Sequence, residues 1–294
     1  MDERILKRTA FAALLMGAVG IAFAPIFVRI SETGPVATAF YRLFLALPVL
    51  WLWMLAERGN PGTLRRPSTG RDFCQLGVAG LFFAADLGLW HWSIKLTSVA
   101  DATLLANSAP IFVTIGARIF FGEKITGGFM TGLALALAGA AMVVGNSLRA
   151  SLAHSAGDLV AIGAAVFYGG YQLCLKHLRR SFSTATIMAW TAVSACPALF
   201  LVAVSSGETL LPAHAAGWTV LVALALVSQV GGQSLIAYAF AHLPASFSSV
   251  GLLLQPAVAA LLAWIILQEP LGGLQIAGGF VILCGIAIAN RASR

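Results

Sequence analysis

Residues 110–139 read PIFVTIGARIFFGEKITGGFMTGLALALAG, and residues 256–285 read PAVAALLAWIILQEPLGGLQIAGGFVILCG. Both stretches begin with a proline, carry a glutamate 13 residues later and then two glycines seven residues apart. The matched pairs all stand 146 residues apart: Pro110 and Pro256, Glu123 and Glu269, Gly132 and Gly278, Gly139 and Gly285. Half of the 294 residues is 147, so the pattern indicates two copies of one unit and predicts domains at residues 1–147 and 148–294.

The composition indicates that this repeat lies in a membrane. Apolar residues make up 59% of the chain and charged residues only 10%, whereas soluble domains carry roughly 25% charged residues. A folded surface of this composition would be too apolar for water, which excludes a soluble enzyme. The 4 cysteines have no CxxC spacing, so neither a disulfide scaffold nor a metal site is expected.

Ten stretches are long and apolar enough to cross a bilayer, which takes roughly 20 helical residues. They are residues 9–28, 36–56, 73–94, 102–121, 125–148, 159–175 and 181–207, two helices within 209–268, and residues 271–290. Because five helices per copy is an odd number, the second copy must enter the membrane from the opposite side. The predicted fold class is an all-α polytopic membrane protein with ten transmembrane helices arranged as two inverted five-helix repeats.

The distribution of Lys and Arg predicts the orientation, since cytoplasmic loops retain the excess of positive charge. With the amino terminus inside, thirteen of the 18 basic residues lie in the cytoplasm: Arg4, Lys7, Arg8, Arg58, Arg65, Arg66, Arg71, Lys124, Lys176, Arg179, Arg180, Arg291 and Arg294. Topology thus explains the net charge of +7, and a nucleic-acid partner is not expected. The prediction is a multi-pass protein of the bacterial inner membrane with both termini cytoplasmic. The first helix is expected to be retained, because its apolar run is too long for a signal peptide.

The segment from Ala109-Pro110 through Gly122-Glu123-Lys124 to Gly139 resembles the hallmark segment of the drug/metabolite transporter superfamily, EamA type. The second copy carries the same pattern, but Gln268 stands where a glycine is expected before Glu269. The inverted repeats favour a carrier that works by alternating access. Within the superfamily the chain is similar to bacterial exporters of aromatic amino acids, which implies export of amino acids with aromatic or other apolar side chains.

Three ionisable residues at membrane depth are candidates for the cavity, because a charge placed there costs about 2.5 to 3.5 kcal/mol and usually faces a cavity or a partner. Arg42 lies near one end of the second helix, and the alternative for it is snorkelling to the headgroups. Asp86, near the middle of the third helix, is too short to snorkel. His91 follows it by one and a half turns, and a neutral hydrogen-bonded imidazole is the alternative there.

Uncharged polar and aromatic residues complete the predicted cavity lining. Gln229 and Gln233 share a helix face by their spacing, as do Tyr168 and Gln172. Trp90 shares a face with Asp86 and is the candidate for stacking on a substrate ring. The other predicted lining residues are Tyr41, Asn107, Trp190, Tyr238 and Gln255.

Prolines within the helices are the candidate hinges, since each removes a backbone donor and frees a carbonyl. They are Pro25, Pro110 and Pro256, and a tolerated kink without further role is the alternative for each. Arg118 and Glu123 stand one turn apart and are expected to form an interfacial ion pair. The fifth and tenth helices carry spaced glycines and alanines, which indicate close helix packing rather than a cavity wall.

The function predicted from these features is a secondary transporter that exports small organic metabolites through the inner membrane. An exporter of another solute class, such as a drug or a nucleoside, and a facilitative channel-like pore remain the alternatives. An intramembrane enzyme is not expected, because GxSxG, HExxH and Walker motifs are missing from the sequence. The expected partners are a small-molecule substrate, the lipid bilayer and, as candidate coupling ion, a proton. No cofactor is predicted, and the sequence leaves the oligomeric state open.

Overall fold

A computed structural model describes residues 3–57, 65–96, 99–144 and 155–293 of the chain. Within these residues, ten helices are long and apolar enough to cross a membrane, as predicted. In chain order the helices are α1 (Glu3–Ile30), α2 (Pro35–Ala56), α3 (Gly70–Leu96), α4 (Val99–Phe121), α5 (Gly127–Val144), α6 (Ser155–Leu178), α7 (Thr184–Ser205), α8 (Ala215–His242), α9 (Ala245–Leu267) and α10 (Gly273–Ala292). The junction predicted between residues 147 and 148 lies outside the described residues.

Four of these helices are broken, and each restarts with a proline in the first turn of its second segment. The segments are Glu3–Ala22 and Ala24–Ile30 in α1, Pro35–Phe44 and Leu47–Ala56 in α2, Val99–Ala106 and Ala109–Phe121 in α4, and Ala245–Gly251 and Leu254–Leu267 in α9. Proline is tolerated there because the first turn of a helix needs no backbone donor. Pro25, Pro110 and Pro256 therefore mark real breaks, and the last two lie at matching positions of α4 and α9.

The middle of α8 is a π-helix, Leu224–Gln233, which the sequence analysis does not predict. Wide turns of this kind are rare and occur often at functional sites. The segment packs closely on α1, because a Cβ placed on Gly20 would lie 2.9 Å from Gly232 Cα. The Ser228 hydroxyl donates to the Gly20 carbonyl at 2.9 Å. Gln229 and Gln233, both in this segment, are buried.

The two halves of the chain interlock, and the most extensive helix contacts join helices of opposite halves: α5 with α10, α3 with α6 and α7, α1 with α8, and α2 with α7. The α5–α10 contact is backbone against backbone. A Cβ on Gly139 would lie 2.7 Å from the Gly278 carbonyl oxygen, and one on Gly285 would lie 2.5 Å from the Ala136 nitrogen. The small residues of these helices therefore serve the close packing that their spacing predicts.

One end of the bundle collects most of the described basic residues and is called the basic face. It carries Arg4, Lys7, Arg8, Arg65, Arg66, Arg71, Lys124, Lys176, Arg179, Arg180 and Arg291. The start of α1 reaches the start of α9 through Phe11 and Phe247, whose ring centroids are 5.8 Å apart. The start of α5 meets the end of α10 where the Thr126 hydroxyl donates to the Ala292 carbonyl at 3.4 Å. Both ends of the described chain therefore lie at the basic face.

The other end of the bundle, called the opposite face, joins the halves through carboxylates. Glu208, which follows α7, accepts hydrogen bonds from the backbone N–H groups of Val36 at 2.8 Å and Ala37 at 3.1 Å. It thereby caps the first turn of α2, where backbone donors have no partner within the helix.

A second carboxylate on the opposite face links the α1–α2 turn to the start of α8. Glu32 accepts from the backbone N–H of His214 at 3.0 Å, and its other oxygen lies 3.0 Å from the imidazole Nδ1. The backbone bond from His214 is the main reason why the pKa of Glu32 lies below its ordinary value of 4.5.

Candidate functional site

Arg42 lies inside the bundle, not at a headgroup position. Only 8% of the residue is exposed, and its Nε donates to Gln229 Oε1 at 3.0 Å. The guanidinium carbon lies 5.7 Å from the centroid of the Phe83 ring, so a cation–π contact supports it from α3. These contacts turn the side chain away from the snorkelling position and hold a positive charge at membrane depth.

Asp86 lies half-buried on the neighbouring helix α3. Its carboxylate interacts electrostatically with Arg42, yet no direct ion pair joins the two side chains among the contacts of the described residues. Within that same part of the chain, the structure gives the Asp86 carboxylate no hydrogen-bond partner. Arg42 and Asp86 thus interact across the contact between α2 and α3 without a direct bond between their side chains in the described part of the chain.

Tyrosine and glutamine side chains surround these two charges. Gln233 Nε2 donates to the Tyr171 hydroxyl at 3.1 Å, and the Tyr171 ring stacks on Phe83 with centroids 4.7 Å apart. Tyr168 lies parallel to Tyr171 at 6.4 Å and faces the Gln255 side chain. We call Arg42, Asp86, Tyr168, Tyr171, Gln229, Gln233 and Gln255 the central polar cluster.

Three predicted lining residues lie outside this cluster. Tyr41 packs edge-on against Trp218 at 5.4 Å, towards the opposite face. Trp190 packs between Trp51 at 5.5 Å and Phe73 at 4.9 Å, towards the basic face. Tyr238 lies edge-on against His242 at 4.8 Å, near the basic end of α8.

The remaining predicted residues have less specific positions. Trp90 and Asn107 are half-buried. His91 belongs to the same helix as Trp90, but its side chain lies outside the part of the chain that the structure describes. Gln172 is 1% exposed, and neither its Oε1 nor its Nε2 has a hydrogen-bond partner among the described residues.

The Arg118–Glu123 pairing expected from the sequence is wrong. Arg118 is exposed, whereas the Glu123 carboxylate accepts hydrogen bonds from the backbone N–H groups of Ala245 at 2.6 Å and Ser246 at 3.1 Å. These donors begin helix α9 and have no partner within the helix. A charge-assisted bond to two such donors outweighs an exposed ion pair, which contributes about 0 to 1 kcal/mol.

The site includes one residue that the sequence analysis missed. Phe83 contacts both Arg42 and Tyr171. Its position three residues before Asp86 places it on the same helix face, and that spacing is the signal which could have identified it.

A separate apolar cavity of about 770 Å³ lies between α2, α3, α6 and α7. Its lining includes Phe82, Trp92, Phe167 and Val202, together with the hydroxyl residues Ser205 and Ser206. No residue of the central polar cluster lines it. Without a charged side chain in its lining, it offers nothing that would fix a charged solute.

Ten spanning helices in two inverted halves, with a charged and aromatic cluster where the halves meet, define a membrane transporter. The chain belongs to the EamA-like transporter family, whose family model matches residues 8–145 and again residues 155–291. A solved crystal structure shares the fold, with a TM-score of 0.77 over 100% of this chain and 99% of its own and 19% sequence identity.

Curated relatives carry exporter or transporter names. A probable terminal-alkyne amino-acid exporter of Streptantibioticus cattleyicolor is 30% identical over 81% of this chain and 79% of its own. The pseudopaline exporter CntI of Pseudomonas aeruginosa is 26% identical over 90% and 89%, respectively. A riboflavin transporter of Brucella anthropi is 26% identical over 64% of each chain. These relatives support a transport role and differ in their substrates.

Proposed function

We propose that this transporter exports α-amino acids with aromatic or other apolar side chains by alternating access. The observation that carries the proposal is the pair Arg42 and Asp86, two ionisable side chains at membrane depth that no direct bond joins within the described residues. An α-amino acid carries a carboxylate and an ammonium two bonds apart and can bridge such a pair. The carboxylate would accept from the free N–H groups of Arg42, and the ammonium would donate to Asp86.

The aromatic side chains beside the charges favour an apolar or aromatic substituent. The Phe83 ring lies against Arg42, Tyr171 stacks on Phe83, and Tyr168 lies parallel to Tyr171. Aromatic pairs contribute about 0.5 to 1.5 kcal/mol beyond their area burial. Trp90, half-buried on the same helix as Asp86, is the further candidate for this contact. The amino-acid exporter named among the relatives supports the same substrate class.

The exporter names among the relatives support outward transport, and the charge distribution supports an assignment of the cytoplasmic side. Eleven of the described Lys and Arg residues lie at the basic face, and the positive-inside rule favours this face as the cytoplasmic one. Export then runs from the basic face to the opposite face, with both termini in the cytoplasm. A proton is the proposed coupling ion and Asp86 its carrier, because this carboxylate has no fixed hydrogen-bond partner among the described residues.

Counterflow of labelled phenylalanine into proteoliposomes tests the substrate. We expect saturable uptake by the native protein and at least a tenfold lower rate for both Arg42→Gln and Asp86→Asn. Thr131→Val is the matched control, because the hydrogen bond that the structure gives this exposed α5 side chain goes to Gly127 of its own helix. Native rates in both variants, with folded protein, would refute the assignment of the site. Uptake of uridine but not of phenylalanine would refute the amino-acid class, and unit conductance steps in a planar bilayer would indicate a channel.

Two truncated competitors test the zwitterion directly. Phenethylamine lacks the carboxylate and 3-phenylpropionate lacks the ammonium, so each should compete at least tenfold less well than phenylalanine. In the Asp86→Asn variant, 3-phenylpropionate should compete more nearly as well as phenylalanine does. The reason is that residue 86, which would bind the ammonium that 3-phenylpropionate lacks, is neutral in this variant. A pH gradient should accelerate export by the native protein but not by this variant. Equal competition by all three ligands would show that Arg42 and Asp86 do not recognise the carboxylate and ammonium groups of an amino acid.

A further inference from the structure

The end of α4 holds the start of α9 at the basic face. Glu123 Oε1 accepts from the Ala245 N–H at 2.6 Å, and Oε2 accepts from the Ser246 N–H at 3.1 Å and the Ser246 hydroxyl at 2.5 Å. The residue before α9 is Pro244, which offers no side-chain cap. The cap therefore comes from the other half of the chain, 122 residues away. A negative charge at a helix start is also favoured by the helix dipole.

A second contact at the same place reinforces this one. Lys176, near the end of α6, donates from Nζ to the Leu243 carbonyl at 2.6 Å. Leu243 lies in the turn that joins α8 to α9. The start of α9 is thus tied to α4 by Glu123 and to α6 by Lys176.

The repeat partner of Glu123 makes a different contact. Glu269 follows α9 at the opposite face and forms an ion pair with Arg29 of α1, with both side chains substantially exposed. None of the contacts that the structure gives Glu269 is a side-chain bond to a helix start. Equivalent glutamates therefore act as a cap at the basic face and as an exposed ion pair at the opposite face. The glutamate cap on the start of α9 is therefore a feature of the basic face, whereas Glu208 and Glu32 join the halves at the opposite face.

Buried polar side chains without a hydrogen-bond partner among the described residues lie behind the contacts that tie α9 to α4 and α6. Gln172 of α6, Ser234 of α8 and Ser248 and Ser249 of α9 are between 0% and 6% exposed. Their side-chain polar atoms have no hydrogen-bond partner among the described residues. Each lies between the central polar cluster and the basic face. A buried polar group left without a partner costs about 1 to 3 kcal/mol, so four together demand an explanation.

We propose that Gln172, Ser234, Ser248 and Ser249 line the solute path from the central polar cluster to the basic face, and that Glu123 is the latch which keeps this path shut. When the start of α9 moves away from α4, these side chains meet water and the polar part of the solute. Opening breaks the cap, which costs free energy, and hydrates the four side chains, which is favourable. Because these two changes oppose each other, the closed and open states stay close in free energy. The inference rests on the proposed alternating access and is independent of which solute is carried.

Thiol labelling tests the latch without a substrate. In a chain whose four cysteines are replaced by alanine, Ser249→Cys is treated with a membrane-impermeant methanethiosulfonate in proteoliposomes. We expect slow labelling with Glu123 in place and at least tenfold faster labelling with Glu123→Ala, which corresponds to about 1.4 kcal/mol in the opening equilibrium. Glu123→Gln should give an intermediate rate, because its amide oxygen can still accept one N–H.

Matched variants keep the test decisive. Glu269→Ala is the symmetry-related control and should leave the labelling rate of Ser249→Cys unchanged. Ser206→Cys, at the exposed opposite end of α7, should not become faster with Glu123→Ala. If Glu123→Ala does not fold, Lys176→Met removes the other tie and should also accelerate labelling. An unchanged rate in a folded latch variant would overturn the inference. Accelerated labelling in a protein that fails to carry phenylalanine would leave the latch standing and reject only the proposed substrate.

Discussion

Replacing Gln229 by leucine should weaken binding of the substrate carboxylate while leaving the ammonium contact intact. Gln229 accepts the only hydrogen bond that the Arg42 side chain makes within the described residues, at 3.0 Å from Nε. Leucine removes the acceptor with little change in volume, so the effect reports the loss of the hydrogen bond rather than a cavity.

The size of the effect follows from burial. Arg42 is 8% exposed and Gln229 only 1%, so bulk water cannot replace the lost acceptor easily. A hydrogen bond from a charged donor contributes about 1.5 to 3 kcal/mol. Without this hydrogen bond the guanidinium is no longer held in the orientation that binds a carboxylate. If the whole free energy of the bond is lost from binding, the affinity for a carboxylate ligand should fall by a factor of roughly 10 to 150.

Competition against labelled phenylalanine in proteoliposomes measures this effect. The half-inhibitory concentration of 3-phenylpropionate should rise within that range, and that of phenethylamine should change less than threefold. Gln233→Leu is the matched control, since Gln233 lies four residues further along α8 and donates to Tyr171 instead of Arg42. Equal losses for both ligands, or equal effects of the two leucine variants, would refute the assignment of Arg42 as the carboxylate partner.

Two predictions concern stability. Gly139→Ala should lower the thermal midpoint of unfolding in detergent, because its Cβ would lie 2.7 Å from neighbouring backbone and overpacking costs about 1 to 3 kcal/mol. Gly77→Ala is the control: its Cβ would meet open space, so the variant should gain about 0.5 to 1 kcal/mol of stability. Equal midpoints for the two variants would contradict the close α5–α10 contact. Glu32→Gln should blunt the fall in the midpoint as the pH drops below 4.5. The lowered pKa of Glu32 means that its tie to His214 stabilises the fold above that pH and is lost as acid protonates it; identical pH profiles would count against the tie.

The helices themselves are predictable from the sequence, because crossing a bilayer imposes a length and an apolar composition on each segment. The breaks in α4 and α9 are equally visible, since Pro110 and Pro256 lack a backbone donor and recur at one offset. Both signals are local, and each is strong enough to be recognised without knowledge of the neighbouring helices.

The partners of the polar side chains are not predictable in the same way. Arg42 and Gln229 are 187 residues apart, and only the packing of α2 on the π-helical part of α8 brings them together. The same limit explains the error at Glu123. The sequence shows Arg118 one turn away, but it does not show that the unpaired donors of Ala245 and Ser246 arrive from the other half.

Trp190 shows a further limit. Trp190 and Tyr41 are both predicted to line the cavity, yet both side chains pack against other aromatic rings. In a helix bundle every large ring must fill space somewhere, and the facing helix decides where. Spacing along one helix can identify a shared face, as it does for Phe83 and Asp86, but not which neighbour that face meets.

Both ends of the described chain lie on one side and each half holds five spans, so the two halves cross the membrane in opposite directions. Two copies of one half that were inserted in the same orientation could therefore not form this assembly. A gene encoding only one half would have to place its product in the bilayer in both orientations. The covalent join between the halves removes that requirement, since it fixes the antiparallel arrangement once for every molecule synthesised.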